Sequence, residues 1–170
     1  MQAASHAHQK HDLKRKPDAF ARIATDPPRS LKVTTSLGRT IEALIYEPEG
    51  PIHGNVLIHS ATACPQGFYA AFARYLVQAG LRVFTYDYEG IGKSRSGSLR
   101  GTTVTMSEWA LVDARAMHDY LEAHHPGVPL AIIGHSFGGQ LVGLLEQTRC
   151  ACAAVFVGAQ LGYCGHWPKP

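Results

Sequence analysis

The sequence predicts an α/β fold: a mostly parallel sheet with helices on both faces. Three observations lead to it. Two β-prone segments near the start face each other across Leu37-Gly38-Arg39, a glycine turn. Strand-like runs then alternate with segments of helical spacing, the order that builds a parallel sheet. The later strand runs are apolar throughout rather than alternating, as expected when both faces are covered.

The elements follow in order. Residues 1–28 are polar, carry His6, His8, Lys10, His11, Lys14, Arg15 and Lys16, and close on Asp26-Pro27-Pro28. They read as a mobile His/Lys-rich extension ahead of a domain spanning 29–170. Leu31 to Thr35 and Thr40 to Tyr46 form the hairpin. Asn55 to His59 is a short strand. Gln66 to Gln78 has helical spacing, with Phe68, Ala71, Phe72, Tyr75, Leu76 and Ala79 on one face, and Gly80 ends it. Leu81 to Tyr86 is the next strand, followed by a Gly/Ser-rich connection from Asp87 to Thr105. Trp109, Val112, Ala116, Met117, Tyr120 and Leu121 mark a second helix, with Thr105 and Glu108 as its capping box. Leu130 to Ile133 is the fifth strand. Ala153 to Val157 is the sixth, after which the expected fold is cut short.

Composition narrows the function. The chain has 170 residues, 45% hydrophobic and 17% charged, which suits one globular domain. A net charge of +3 resides largely in the first sixteen residues. No basic stripe with interleaved aromatics follows, so nucleic acid is not an expected partner. No apolar run approaches the length of a membrane span. No apolar h-region opens the chain, so a cytoplasmic location is expected. Cys64, Cys150, Cys152 and Cys164 lack zinc-site spacing and read as reduced, mostly buried thiols, with Cys64, in a loop, the exception to watch. No metal or cofactor is expected.

The chemistry concentrates at Gly134-His135-Ser136-Phe137-Gly138-Gly139. Here Gly-x-Ser-x-Gly sits between a strand and a run of helical spacing, the pattern of a nucleophile elbow. The turn is so tight that a Cβ at Gly134 or Gly138 would collide with the neighbouring helix or strand. In return the Ser136 hydroxyl is exposed above a helix N-terminus, where unpaired N–H groups can meet a developing oxyanion. Gly92-Lys93-Ser94 mimics the end of a phosphate-binding loop, but Asp87 occupies the position of that motif's first glycine and would repel phosphate. Gly90 and Gly92 also fail the dinucleotide fingerprint, since Arg95 takes the third glycine's place.

Three stretches in this order resemble the α/β-hydrolase superfamily, in its serine aminopeptidase-like and monoacylglycerol-lipase-like branch. They are Leu57-Ile58-His59-Ser60-Ala61, Tyr86 to Ser94, and Gly134 to Gly139. The resemblance runs from about Leu31 to the end and implies that Ser136 is the nucleophile. It implies oxyanion donors at the backbone N–H groups of Phe137 and Ala61, with Thr62 and Cys64 lining the same mouth. Ser60 replaces the family's usual glycine, and Glu89 stands where arginine is usual. Asp87 is expected to be structural, and so is His59.

The implied triad is incomplete. Its order is Ser, Asp or Glu, then His. After Ser136 the only acid is Glu146 and the only histidine is His166. Glu146 is expected on the elbow helix, roughly 15 Å along the axis from the serine. The expected activity is therefore that of a serine hydrolase cleaving a small ester, thioester or amide through an acyl-serine. The sequence would be the N-terminal portion of such an enzyme and a poor catalyst alone. The alternative is a binding module that reuses the pocket. The uncharged sixth strand invites self-association. Phe68, Tyr69, Tyr163 and Trp167 hint at an apolar mouth.

Overall fold

The computed structural model describes residues 26–160. The proposed extension lies almost wholly outside these residues, as do Tyr163, Cys164, His166 and Trp167. β1 (Arg29–Thr34) and β2 (Thr40–Tyr46) form an antiparallel hairpin. Its turn is closed by Gly38 N–H donating to the Thr35 carbonyl at 2.9 Å, with Gly38 at φ +72°. β3 (Gly54–His59), β4 (Leu81–Tyr86), β5 (Leu130–His135) and β6 (Ala153–Val157) complete a sheet of order β1-β2-β4-β3-β5-β6. The β4–β3–β5–β6 pairings are all parallel. The sheet is therefore mixed at one side and parallel through the rest, as the strand–helix alternation predicts.

Helices cover both faces. On one face Tyr69 and α1 (Ala70–Val77) pack onto Leu44, Val56, Ile58, Val83 and Ile133. On the other, a helical segment packs through Ala110, Ala114, Met117 and Leu121 onto Ile41, Leu57, Phe84 and Tyr86. That segment runs as α2 (Met106–Glu108), a π-helical stretch (Trp109–Ala114) and α3 (Arg115–His124). The expected capping box is present: Thr105 Oγ1 accepts from Glu108 N–H, and the Glu108 carboxylate accepts from Thr105 N–H. The π stretch is not visible in the apolar spacing. It widens the turn and brings Asp113 into the core, fully buried.

Three expectations need correction. The face of α1 that packs carries Tyr69, Ala73 and Val77, while Phe68, Phe72 and Tyr75 are exposed. Both stripes have helical spacing, and only the neighbouring sheet chooses between them. The elbow helix is also short. α4 (Phe137–Leu141) passes into a 3-10 turn (Val142–Leu144) and ends where Leu145 is extended. Glu146 therefore opens a separate 3-10 turn, Glu146–Cys150, rather than lying on the elbow helix. Finally, Cys64 is partly exposed, and Cys150 and Cys152 are exposed, so these three thiols are free but not mostly buried. Cys150 and Cys152 lie at the entry to β6, an edge strand whose five residues are all exposed.

Buried polar groups sit between the sheet and the α3 side. His59 has no exposed surface. Its Nδ1 lies 2.7 Å from the Tyr86 hydroxyl and its Nε2 lies 3.2 Å from Nε2 of His118. One imidazole must donate and the other accept, so both cannot carry a proton on the facing nitrogen, and burial disfavours charge on either. Burial lowers both: His118 to about 4, and His59 well below the ordinary value, with His118 adding to the effect. Burial instead lifts Asp113 to about 6. One Asp113 oxygen accepts from Glu89 N–H at 2.8 Å, and the other has no partner.

These shifts oppose one another on acidification. A base lowered in the folded state contributes stability that is complete above its unfolded value and lost as pH falls toward the folded one. His118 thus loses about 3 kcal/mol between its unfolded 6.5 and its folded value of about 4. A raised acid does the reverse: its stability is complete below 3.8 and lost as pH rises through about 6. Asp113 thus returns about 3 kcal/mol on acidification. Asp113→Asn should remove that offset while keeping an acceptor for Glu89 N–H. Its urea unfolding midpoint should fall more steeply between pH 6.5 and pH 4 than that of the unsubstituted chain. Parallel curves would show that Asp113 does not titrate in that window.

Candidate functional site

The elbow is built as the glycine spacing requires. β5 ends at His135 and α4 begins at Phe137. Ser136 between them has φ +51° and ψ −114°, a conformation costly for any residue with a Cβ. The surroundings compel it. A Cβ at Gly134 would lie 2.5 Å from Gly139 Cα, and one at Gly138 would lie 2.1 Å from the His59 carbonyl oxygen. The first packs strand against helix within the elbow. The second packs α4 directly on the end of β3. Gly139 is equally confined, since a Cβ there would meet the Ala159 side chain at 2.4 Å. Ser136 N–H donates to the Val157 carbonyl at 2.8 Å, which ties the turn to the end of β6.

Phe137 anchors the other side of the turn. Its ring is buried and stands edge-on to Tyr88 at 5.8 Å and to Trp109 at 5.9 Å. As the first residue of α4, its N–H has no acceptor within that helix. Ser136 itself remains partly exposed.

The loop after β3 approaches the same end of the sheet. Ser60, in the place of the family's usual glycine, is fully buried, and Tyr88 donates its hydroxyl to the Ser60 carbonyl at 3.2 Å. Cys64 N–H donates to the Ala61 carbonyl at 3.1 Å, closing a tight turn in which Ala63 has φ +56°. The Ala61 N–H is not held in the sheet. It donates to the Tyr69 hydroxyl at 2.9 Å. That hydroxyl also lies 3.0 Å from Nδ1 of His135, the residue before Ser136. Phe68 is exposed and stacks on His135 with ring centroids 6.3 Å apart.

Asp87 is structural, as expected. Its carboxylate accepts from Gln66 N–H at 2.7 Å, Gln66 Nε2 at 2.9 Å and Lys93 N–H at 2.9 Å. These donors satisfy it without a cation, so glutamate at position 89 leaves no buried charge unpaired. The carboxylate also explains Gly92, where a Cβ would lie 2.4 Å from Asp87 Oδ2. His59, bound to Tyr86 and His118, is structural too.

Sequence reasoning missed Asp113, His118 and the role of Tyr69. The first two do leave a signal. A carboxylate and an imidazole fall within the stripe of Ala114, Met117 and Leu121, and polar groups in a core stripe require partners. Tyr69 left none, because its bonds go to residues 61 and 135. Among the described residues, no group of His, Cys, Asp and Glu is arranged to hold a metal, and no helix is long and apolar enough to cross a membrane.

Comparison with known proteins agrees with this fold. The family described as serine aminopeptidase, S33, matches residues 50–168. Human monoglyceride lipase is 25% identical over 114 residues, which is 66% of this chain and 36% of that protein. Monoacylglycerol lipase of Mycolicibacterium smegmatis is 32% identical over 98 residues, 58% of this chain and 34% of that protein. The chain thus spans about a third of the length of these curated relatives. Among solved structures, a carboxyl esterase from Bacillus coagulans superposes with a TM-score of 0.65 at 20% identity, covering 78% of this chain and 44% of that one. XC6422 from Xanthomonas campestris, described as an α/β serine hydrolase without a lid, gives 0.62 at 18% identity, covering 84% and 65%. These two likenesses concern the fold.

The packing at the elbow makes a direct prediction. Gly138→Ala should destabilise the chain by about 1–3 kcal/mol, because the added methyl must displace β3 or α4. Gly143→Ala, with nothing within 4 Å of its Cβ, should change stability by no more than about 0.5 kcal/mol. Urea unfolding midpoints of the two variants check this. Equal effects would mean that α4 does not press on β3.

Proposed function

The chain belongs to the serine aminopeptidase S33 family of hydrolases, and from that premise we propose that it carries the nucleophile half of a serine hydrolase site. Ser136 would attack the carbonyl of an ester, thioester or amide and form an acyl-serine, with the oxyanion received by the N–H groups of Phe137 and Ala61. An ester is favoured because the relatives include monoglyceride lipases and a carboxyl esterase. The observation that carries the reading is the φ of +51° at Ser136, a strained conformation enforced by contacts at Gly134 and Gly138. Strain held this firmly at a partly exposed serine is better explained by chemistry than by turning.

The general base would come from residues other than those described. His59 and His118 are locked to each other in the core, and Glu146 stands on a separate turn. Losing the histidine of such a triad costs on the order of 10⁶ in turnover. The same observation favours the second reading, a binding module that keeps the hydrolase pocket without turnover.

The test is chemical rescue. The purified 170-residue chain should hydrolyse a short-chain p-nitrophenyl ester only slowly. Added imidazole, standing in for a general base, should accelerate both hydrolysis and labelling by a fluorophosphonate, with the adduct on Ser136. Ser136→Ala should abolish both. Hydrolysis that survives Ser136→Ala would sink the serine mechanism. Rapid Ser136-dependent turnover without imidazole would mean that a base lies within the chain after all.

We also propose that β6 is a self-association edge. Its residues Ala153-Ala154-Val155-Phe156-Val157 are all exposed and uncharged, without proline. Light scattering should show particles larger than a monomer at tens of micromolar protein, and Val155→Lys should shift them toward the monomer. A monomeric unsubstituted chain would refute the edge as an interface.

A further inference from the structure

Ala61 and Ser136 belong to different elements, the loop after β3 and the end of β5. The proposed oxyanion hole needs the N–H beside each to converge on one point. A single hydrogen-bonded chain spans the gap: Ala61 N–H to Tyr69 Oη at 2.9 Å, and Tyr69 Oη to His135 Nδ1 at 3.0 Å. We propose that Tyr69 is a positioning residue for this oxyanion hole, clamping the Ala61 N–H to the residue that precedes the nucleophile; this rests on the serine-hydrolase reading above.

The clamp is held on every side. Tyr69 is 6% exposed and ends the 3-10 turn Gln66–Tyr69 that leads into α1. Its ring stands edge-on to Phe68 at 5.2 Å and to His135 at 6.0 Å. Burial pushes its phenol up to about 12, so the hydroxyl keeps its proton at neutral pH. With Nδ1 of His135 as acceptor, that proton points to His135, and the phenolic oxygen is left to receive the Ala61 N–H. The Ala61 carbonyl is pinned from the other side by Cys64 N–H at 3.1 Å. Without Tyr69 the loop would be fixed at its carbonyl but free to turn its N–H toward water.

The phenol also acts as a stand-in for the charge to come. A phenolic oxygen is by itself a weaker acceptor than a carbonyl, but one that also donates to His135 Nδ1 is polarised toward the strength of a neutral ester carbonyl. An oxyanion is a much stronger one, since hydrogen bonds to ionised oxygen are roughly twice as strong as neutral ones. The substrate carbonyl therefore gains little by taking the Ala61 N–H from Tyr69. The tetrahedral oxyanion gains a great deal. A donor that is surrendered only to developing charge stabilises the transition state without tightening the ground state, which is the form of binding that raises turnover.

Tyr69→Phe keeps the ring and removes the bridging oxygen, so it separates the clamp from simple packing. Three readings in the full chain decide the matter. Amide hydrogen exchange should accelerate at Ala61 by at least about tenfold, with β3 and α1 little changed. The His135 Nδ1 ¹⁵N resonance should shift on loss of its partner. Imidazole-rescued phosphonylation of Ser136 should slow about tenfold to a hundredfold, the scale of effect when an oxyanion donor is misplaced, with the probe concentration for half-maximal rate unchanged. Phosphonylation as fast as or faster than in the unsubstituted chain would overturn the proposal; the faster result would make Tyr69 a plug on the N–H. Unchanged exchange at Ala61 would also overturn it, and uniformly faster exchange would show a merely structural role. If the unsubstituted chain never labels at Ser136, the hydrolase reading falls and takes the positioning role with it, while Ala61 exchange still reports whether the clamp exists.

Discussion

The contact on which the site depends is that between α4 and the end of β3. Gly138 lies so close to the His59 carbonyl that no side-chain atom fits between them. The helix must leave β5 at once to make that approach, so the chain reverses within one residue, and Ser136 absorbs the strain at φ +51°. Glycine at position 134 clears the inner side of the same turn. Ser136 itself stays partly exposed at the turn. Strain of this kind costs on the order of 1–3 kcal/mol and persists only where the surroundings over-determine it.

Around that contact the core supplies rigidity through satisfied polar groups rather than apolar packing alone. Asp87 organises the loop after β4 by accepting three hydrogen bonds, two of them from Gln66 at the entry to α1. Asp113 does the same for Glu89 from the π-helical stretch. His59 holds Tyr86 and His118. Each group fixes a loop or strand end at the carboxyl edge of the parallel strands, where a doubly covered sheet places its ligands. Trp109 and Tyr88 stack at 5.2 Å beneath Phe137 and join the second helical segment to the elbow. The costs are visible too: a buried imidazole pair that must stay neutral and a carboxylate oxygen without a partner.

The aromatic residues show how local sequence and tertiary structure divide the work. Phe68 and Tyr69 are neighbours on one turn and have opposite fates. Phe68 is exposed against His135, whereas Tyr69 turns inward and bridges two loops through its hydroxyl. Nothing in their spacing separates an exposed aromatic from a bridging one. The distinction lies in where β3 and β5 end relative to the entry of α1, which is set by the pairing Ile58↔Ile133 and His59↔Gly134.

By itself the sequence determined the hairpin, the strand positions, the capping box and the elbow, because each rests on local rules. Glycine at a positive φ, apolar runs of strand length, and Thr105 three residues before Glu108 act over a few residues and leave direct traces. It also carried Ser136, Gly134 and Gly138, since the elbow is a local structure. Only the tertiary structure decided which stripe of α1 is buried, where α4 stops, how Asp113 and His118 enter the core, and what the Ala61 N–H meets. Those outcomes depend on partners far apart in the chain, such as His59 with His118, Asp113 with Glu89, and Ala61 with Tyr69 and His135. A hydrogen bond between such residues has no periodicity to announce it. It exists because a parallel sheet brings the ends of separate strands to one edge, and buried polar groups gathered there must bond to one another.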